Sequence, residues 1–280
     1  MRPQQWTKNA IVLAALVFDR KVFEWESAWR GGLAVLVFCA LSSAMYLIND
    51  QRDVAGDRMH PVKRFRPIAA GELGLRAATR LATGLILAGI AGAYLTRSEF
   101  LSVAVAYVAL MIAYTAWIKQ IVILDVFAIA AGFVLRAAGG AVAIDVEISP
   151  WLLVCTMLLA LFIGFGKRRN ELATLQDATG HRASLNDYSL PLLDQMIGTV
   201  ASATVMAYSF YTFDASSVPQ NHTMMLTIPF VVYAVFRYLY LIHRSELGGS
   251  PETLLFADRP LFLAILSWGL ASMGILYFAS

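Results

Sequence analysis

The chain has 280 residues, 59% of them hydrophobic and 15% charged, with a net charge of +3. A soluble domain carries nearer a quarter charged residues, so this composition, with a mean hydropathy of +0.64, excludes a water-soluble globule. No strongly basic surface favours a nucleic-acid partner, and no polar block is large enough for a separate soluble domain. Residues 1–280 are therefore expected to form a single transmembrane domain.

About 20 apolar residues cross the hydrocarbon of a bilayer. The hydropathy pattern predicts nine helical spans, at roughly 4–20, 29–49, 76–95, 99–117, 121–141, 149–166, 191–213, 223–243 and 260–279. The fold class is an all-α integral membrane bundle. The first segment has the outline of a signal peptide, with Arg2 and Lys8 before an apolar run from Ala10 to Phe18. No small-x-small cleavage site follows, only Asp19, Arg20 and Lys21, so it reads as a retained span.

The end of the second span carries Asn49, Asp50, Asp53 and Asp57. On a continuing helix the three acids at i, i+3 and i+7 share one face. Three carboxylates so placed repel one another unless a cation sits among them, and a hard oxygen set suits magnesium, with manganese as an alternative. The bland reading is a solvated helix end. A basic loop follows, with Arg58, His60, Lys63, Arg64 and Arg66, interrupted by Pro61, Pro67 and Gly71. A metal beside Lys and Arg is what a diphosphate requires. Asp125 and Arg136 then fall inside the fifth span, where charge is costly and marks either function or a structural pairing.

At the end of the sixth span stand Lys167, Arg168, Arg169, Asn170 and Glu171, expected to open a wet loop over 167–190. Arg237 lies within the eighth span. Asp258-Arg259-Pro260 reads as a helix start, with Asp258 the N-cap. Cys39 and Cys155 lie in apolar runs and suggest neither a disulfide framework nor a zinc site. His181, His222 and His243 show no ligand spacing, and the sequon at Asn221 reads as accidental.

With the N-terminus inside, sixteen basic residues fall in inner segments and four (Arg20, Lys21, Arg30 and Arg97) in outer loops. The positive-inside rule then puts the N-terminus and the loops at about 50–75 and 167–190 in the cytoplasm and the C-terminus outside, in a bacterial-type inner (plasma) membrane.

The pattern Asn49-Asp50-x-x-Asp53-x-x-x-Asp57, followed by Arg66-Pro67 after the second span, resembles the UbiA superfamily of intramembrane prenyltransferases. That resemblance implies nine spans and a magnesium-bound diphosphate at the first acidic motif. The usual second acidic motif is replaced here by Lys167-Arg168-Arg169-Asn170-Glu171. With the opening Arg2 to Asn9, the segment Phe133–Ala137 and Asp258–Leu261, the chain looks most like the phosphoribosyltransferase branch of that superfamily. The resemblance implies transfer of 5-phosphoribose from phosphoribosyl pyrophosphate to a polyprenyl, decaprenyl-type, phosphate, in cell-envelope polysaccharide precursor synthesis. The candidate catalytic residues are Asp50, Asp53, Asp57, Lys63 and Arg66, with the three acids as metal ligands. The candidate substrate-binding residues are Lys8, Asn49, Arg64, Arg136, Lys167, Arg168, Glu171 and Tyr188. The rival readings are a UbiA-type prenyltransferase with a prenyl diphosphate donor and an aromatic or other small acceptor, and a membrane transporter. Self-association is left open.

Overall fold

The computed structural model describes residues 3–59, 62–147, 149–174, 185, 187–215, 217–244, 254 and 257–278. All regular structure among them is helical. The α-helices are α1 (Ala14–Phe18), α2 (Trp25–Arg52), α3 (Val54–Met59), α4 (Leu75–Thr96), α5 (Ser98–Ala116), α6 (Leu124–Ala143), α7 (Pro150–Thr174), α8 (Leu190–Asp214), α9 (Ile228–Arg244) and α10 (Arg259–Phe278). Eight are long and apolar enough to cross a bilayer: α2, α4 to α8, α9 together with its 3-10 lead-in at Thr223–Thr227, and α10. Alternation of direction brings the ends bearing Asp50, Ala116, Asp125, Glu171, Asp194 and Arg244 to one side, called here the polar end.

The segment expected as the first span differs in winding. Pro3–Leu13 is a 3-10 helix that continues into the five-residue α1. A 3-10 helix rises about 2.0 Å per residue against 1.5 Å in an α-helix. Pro3–Phe18 therefore covers roughly 30 Å, about the hydrocarbon thickness. The segment is held closely against α6. A Cβ built on Gly140 would sit 1.9 Å from the carbonyl oxygen of Val12, so only glycine permits the approach.

Among the described residues the interior forms four apolar clusters, and α6 contributes to the two largest. In one, Phe38, Leu41, Ala44 and Met45 of α2 meet Ala78, Ala82 and Ala93 of α4 and Phe100, Ala104 and Tyr107 of α5. Small residues on α4 let its backbone close on α2, the usual route to tight packing where lipid offers no hydrophobic drive. The other joins Val126 and Ala130 of α6 to Phe162 and Phe165 of α7, Leu193 and Ile197 of α8, Tyr238 of α9 and Leu261 of α10. Outward, Leu36, Leu87, Leu95, Phe236 and Leu270 are exposed, as lipid-facing positions must be.

Two helix starts follow their sequence signals. Ser189 Oγ accepts from the Leu192 backbone N–H at 3.3 Å ahead of α8, with a proline in the first turn. Asp258 Oδ1 accepts from the Leu261 N–H at 2.9 Å ahead of α10, as expected for an N-cap. One boundary differs. The sixth span was expected to end at 166, but α7 runs to Thr174. No glycine or proline follows Gly166 within it, and the residues that continue it are mostly strong helix formers. Lys167 to Glu171 thus belong to a helix rather than to a loop. The rest of that loop, 175–184 and 186, including His181 and Arg182, lies outside the described residues, as do Arg2 and His60.

Candidate active site

The first constellation forms at the polar end of α2. Asn49 and Asp50 lie in its last turns, Asp53 sits at the junction with φ −91° and ψ 5°, and α3 carries Asp57. The chain then folds back through a 3-10 turn, Lys63–Phe65, and an extended Arg66. Gly71, at φ +83°, reverses the backbone where a side chain would be strained. Arg58 Nε donates to the Ala69 carbonyl at 3.3 Å, and Ile68 and Ala69 are buried, which anchors the loop under α3.

The fold-back brings Arg66 to the acids. Its Nη1 donates to Asp50 Oδ1 at 3.2 Å and to Asp57 Oδ2 at 2.6 Å, and both carboxylates are buried. Asp53 turns the other way. It accepts from Lys119 Nζ at 2.6 Å and from Asn49 Nδ2 at 2.9 Å, while Lys119 also donates to Asn49 Oδ1 at 3.2 Å. The expected face of three acids is therefore two pairings. Asp50 and Asp57 converge on one cation, and Asp53 with Asn49 converges on another. Lys119, buried in the 3-10 turn Ile118–Gln120 after α5, was counted from sequence only as an orientation charge. Its position in the one short connection facing Asp53 was the available signal.

Among the described residues no group of three or more acids, histidines or cysteines comes together as a metal cage. Magnesium does not need one; one or two carboxylates with substrate phosphate oxygens complete its shell. Asp50 and Asp57 supply two oxygens that already meet at a single positive atom, so the pair fits a divalent ion, with Arg66 marking the place for positive charge. Lys63 and Arg64 are exposed on the same loop, the Arg64 guanidinium 4.8 Å from the Phe65 ring centroid.

The second constellation is a buried network. Arg168 is 3% exposed; its Nε donates to Asp125 Oδ2 at 2.7 Å and its Nη1 to Glu171 Oε2 at 2.6 Å. Asp125, fully buried, also accepts from the Tyr188 hydroxyl at 3.0 Å, and that hydroxyl accepts from the Ile123 N–H at 2.7 Å. Burial, and then the Asp125 carboxylate, push the Tyr188 phenol well above its ordinary pKa, so it stays a proton donor. Arg168 was expected in a wet loop holding phosphate; instead it is a helical residue clamped by two acids. Lys167 beside it is half-buried. Arg169 Nε meets Asp194 of α8, and its Nη1 donates to the Ile242 carbonyl of α9 at 3.1 Å. Arg237 makes a two-point contact with Asp258, at 3.1 and 2.8 Å. That contact accounts for its charge and holds the Asp258 carboxyl below its ordinary pKa.

Arg136 lies deeper. Its Nε donates to Asn9 Oδ1 at 2.8 Å, Nη1 to the Gly132 carbonyl at 3.2 Å and Nη2 to the Tyr107 hydroxyl at 2.7 Å. Asn9 in turn donates to Cys39 Sγ at 3.1 Å and Ser42 Oγ at 3.4 Å. Lys8, half-buried, precedes Asn9 in the same 3-10 segment.

The sequence profile of the UbiA prenyltransferase family matches residues 10–266. A decaprenyl-phosphate phosphoribosyltransferase of Corynebacterium glutamicum is 35% identical over 96% of this chain and 82% of its own. The protein of that name from Mycobacterium tuberculosis is 34% identical over 98% of this chain and 91% of its own. Among solved structures, a UbiA homologue from Archaeoglobus fulgidus bound to GPP and Mg2+ superposes with a TM-score of 0.75 at 16% identity, covering 98% of this chain and 97% of that one. At that identity the likeness establishes the fold.

Proposed function

The chain belongs to the UbiA prenyltransferase family, and from that premise we propose that it transfers 5-phosphoribose from phosphoribosyl pyrophosphate to a polyprenyl phosphate of the decaprenyl type, releasing diphosphate. The observation that carries the reading is the convergence of Asp50 and Asp57 on one cationic position beside a basic loop. The choice of donor is supported by the names of the relatives at 34–35% identity over nearly the whole chain.

In this reading the diphosphate end of the donor lies against Asp50, Asp57 and the loop that carries Lys63, Arg64 and Arg66. Asp50 and Asp57 would hold a magnesium ion there, and its charge would help neutralise the leaving diphosphate. Arg66, on the same loop, would bond a phosphate oxygen of the donor, and Lys63 and Arg64 would add charge from the exposed part of that loop. Lys119 holds Asp53 and Asn49 as a rigid wall. The bond from the anomeric carbon to diphosphate breaks, and an oxygen of the lipid phosphate bonds to that carbon. The nucleophile is already anionic at neutral pH, so no general base is required. Lys8 and Lys167 are assigned to the lipid phosphate or the donor. Arg168, bound directly to Glu171 and through Asp125 to Tyr188, acts with them as the frame that fixes α6 against α7. The site faces the cytoplasm of the plasma membrane, following the bias of basic residues.

The test is transfer by purified protein, with labelled phosphoribosyl pyrophosphate and polyprenyl phosphates against prenyl diphosphates and aromatic acceptors. Labelled phosphoribose in the lipid fraction is expected. Transfer only from a prenyl diphosphate overturns the reading in favour of a prenyltransferase.

A further inference from the structure

Three cations are buried among the described residues: Lys119, Arg136 and Arg168. Lys119 touches Asp53, and Arg168 touches Asp125 and Glu171. Among the described residues Arg136 touches no carboxylate at all. Its acceptors are a side-chain amide, a backbone carbonyl and a phenol, and two aromatic faces, Tyr107 and Phe133, lie 4.8 and 5.2 Å from it. A guanidinium cannot shed its proton, and it carries five N–H groups, of which these acceptors take three. A charge 7% exposed inside a membrane bundle without a counter-charge is costly to keep. Fixing the 3-10 segment to α6 does not require that charge, since a neutral amide in its place could bond Asn9 equally well.

Its depth suggests what the charge is for. Through Asn9 it sits level with Ser42, eight residues below Asp50 on α2, about 12 Å along the axis. The bundle therefore carries an acidic, metal-suited pair near its polar end and an uncompensated cation deeper along the same helix, the order of charges that suits a ligand anionic at both ends and neutral in the middle. Resting on the reading above, we infer that Arg136 is the donor-specificity residue of the site and binds the phosphate monoester of the donor, the end remote from its diphosphate. Asn9, Gly132 and Tyr107 hold the guanidinium and leave two of its N–H groups for charge-assisted bonds to that phosphate.

The experiment uses two fragments as competitive inhibitors against phosphoribosyl pyrophosphate. Inorganic diphosphate reports the acidic pair and ribose 5-phosphate reports Arg136. In purified Arg136→Met the inhibition constant of ribose 5-phosphate is expected to rise about ten- to a hundredfold, the worth of a charge-assisted contact. That of diphosphate stays within about twofold, and the KM for the lipid phosphate is unchanged. Arg136→Lys, which keeps the charge, recovers most of the ribose 5-phosphate inhibition and serves if the methionine variant does not fold. Equal loss of both inhibitors, or loss of neither, in the variant that folds makes Arg136 a fastener of the 3-10 segment and overturns the assignment. A wild-type protein that neither transfers from phosphoribosyl pyrophosphate nor is inhibited by either fragment overturns the functional reading itself.

Discussion

Arg168→Ala separates a structural clamp from a phosphate ligand. In the wild type Arg168 joins Asp125 on α6 to Glu171 one turn on in α7, at 2.7 and 2.6 Å. Glu171 is partly exposed and can be rehydrated when the arginine goes; Asp125, fully buried, cannot, and keeps only the Tyr188 hydroxyl. Removing one partner of a buried ion pair costs about 3–5 kcal/mol, mostly the charge left behind. At about 2–4 °C per kcal/mol, the scaling for domains of 150–250 residues, the apparent Tm falls by roughly 6–20 °C. The assay is the monodisperse fraction in detergent after graded heating. The double variant Asp125→Asn with Arg168→Met removes both charges and should recover at least half of the loss, a coupling expected only of residues in direct contact. A phosphate ligand behaves oppositely, since Arg168→Ala would then leave thermal stability intact and raise a substrate KM, with no rescue by the second change. That result would refute the clamp.

Asp50→Asn and Asp57→Asn should each lower kcat/KM about a hundredfold, roughly 3 kcal/mol of lost electrostatic stabilisation. Activity should vanish in chelator and return with magnesium or manganese, and full activity in chelator would remove the metal from the mechanism. Gly140→Ala should sharply lower the yield of folded protein, because its methyl would meet the Val12 carbonyl oxygen at 1.9 Å, whereas Gly269→Ala, with nothing within 4 Å, should be neutral. Gly56→Cys, on the exposed side of α3, should react with an impermeant maleimide in inverted vesicles and not in intact cells, and labelling of intact cells would reverse the proposed orientation.

The fold class was legible because each span is a long apolar run, and because Asp258 and Pro260 spell a helix start in local chemistry. The acid motif was legible as a cluster but not as two pairings. Its spacing is a property of one helix, whereas Arg66 and Lys119 reach it from a folded-back loop and from the far end of α5. The error at Lys167 to Glu171 came from reading a run of bases as the edge of the membrane. A helix does not stop where the bilayer does, and these residues offer nothing to stop it. Arg168 was expected to bind substrate rather than to clamp helices; its partner Asp125 lies 43 positions away, and neither one's spacing within its own helix points to the other. The 3-10 winding of the first segment had no local signal in the sequence; the partner it packs against, Gly140, lies more than a hundred residues away.

That winding also works as a gear. With three residues per turn, positions three apart stack in a straight line along the helix. Trp6, Asn9, Val12 and Ala15 form that line, though Ala15 already belongs to α1. Trp6 Nε1 reaches Ser43 Oγ at 3.3 Å, Asn9 reaches Arg136, and Val12 and Ala15 are packed away. Wound as an α-helix, the same residues would each slip by about 60° from the last. With Asn9 facing Arg136, Trp6 and Val12 would then each lie about 60° off that line, to opposite sides. A one-residue deletion between Asn9 and Val12 would therefore be felt as a mismeshing of the whole strip rather than as a shortened anchor, and it would strike the buried guanidinium first.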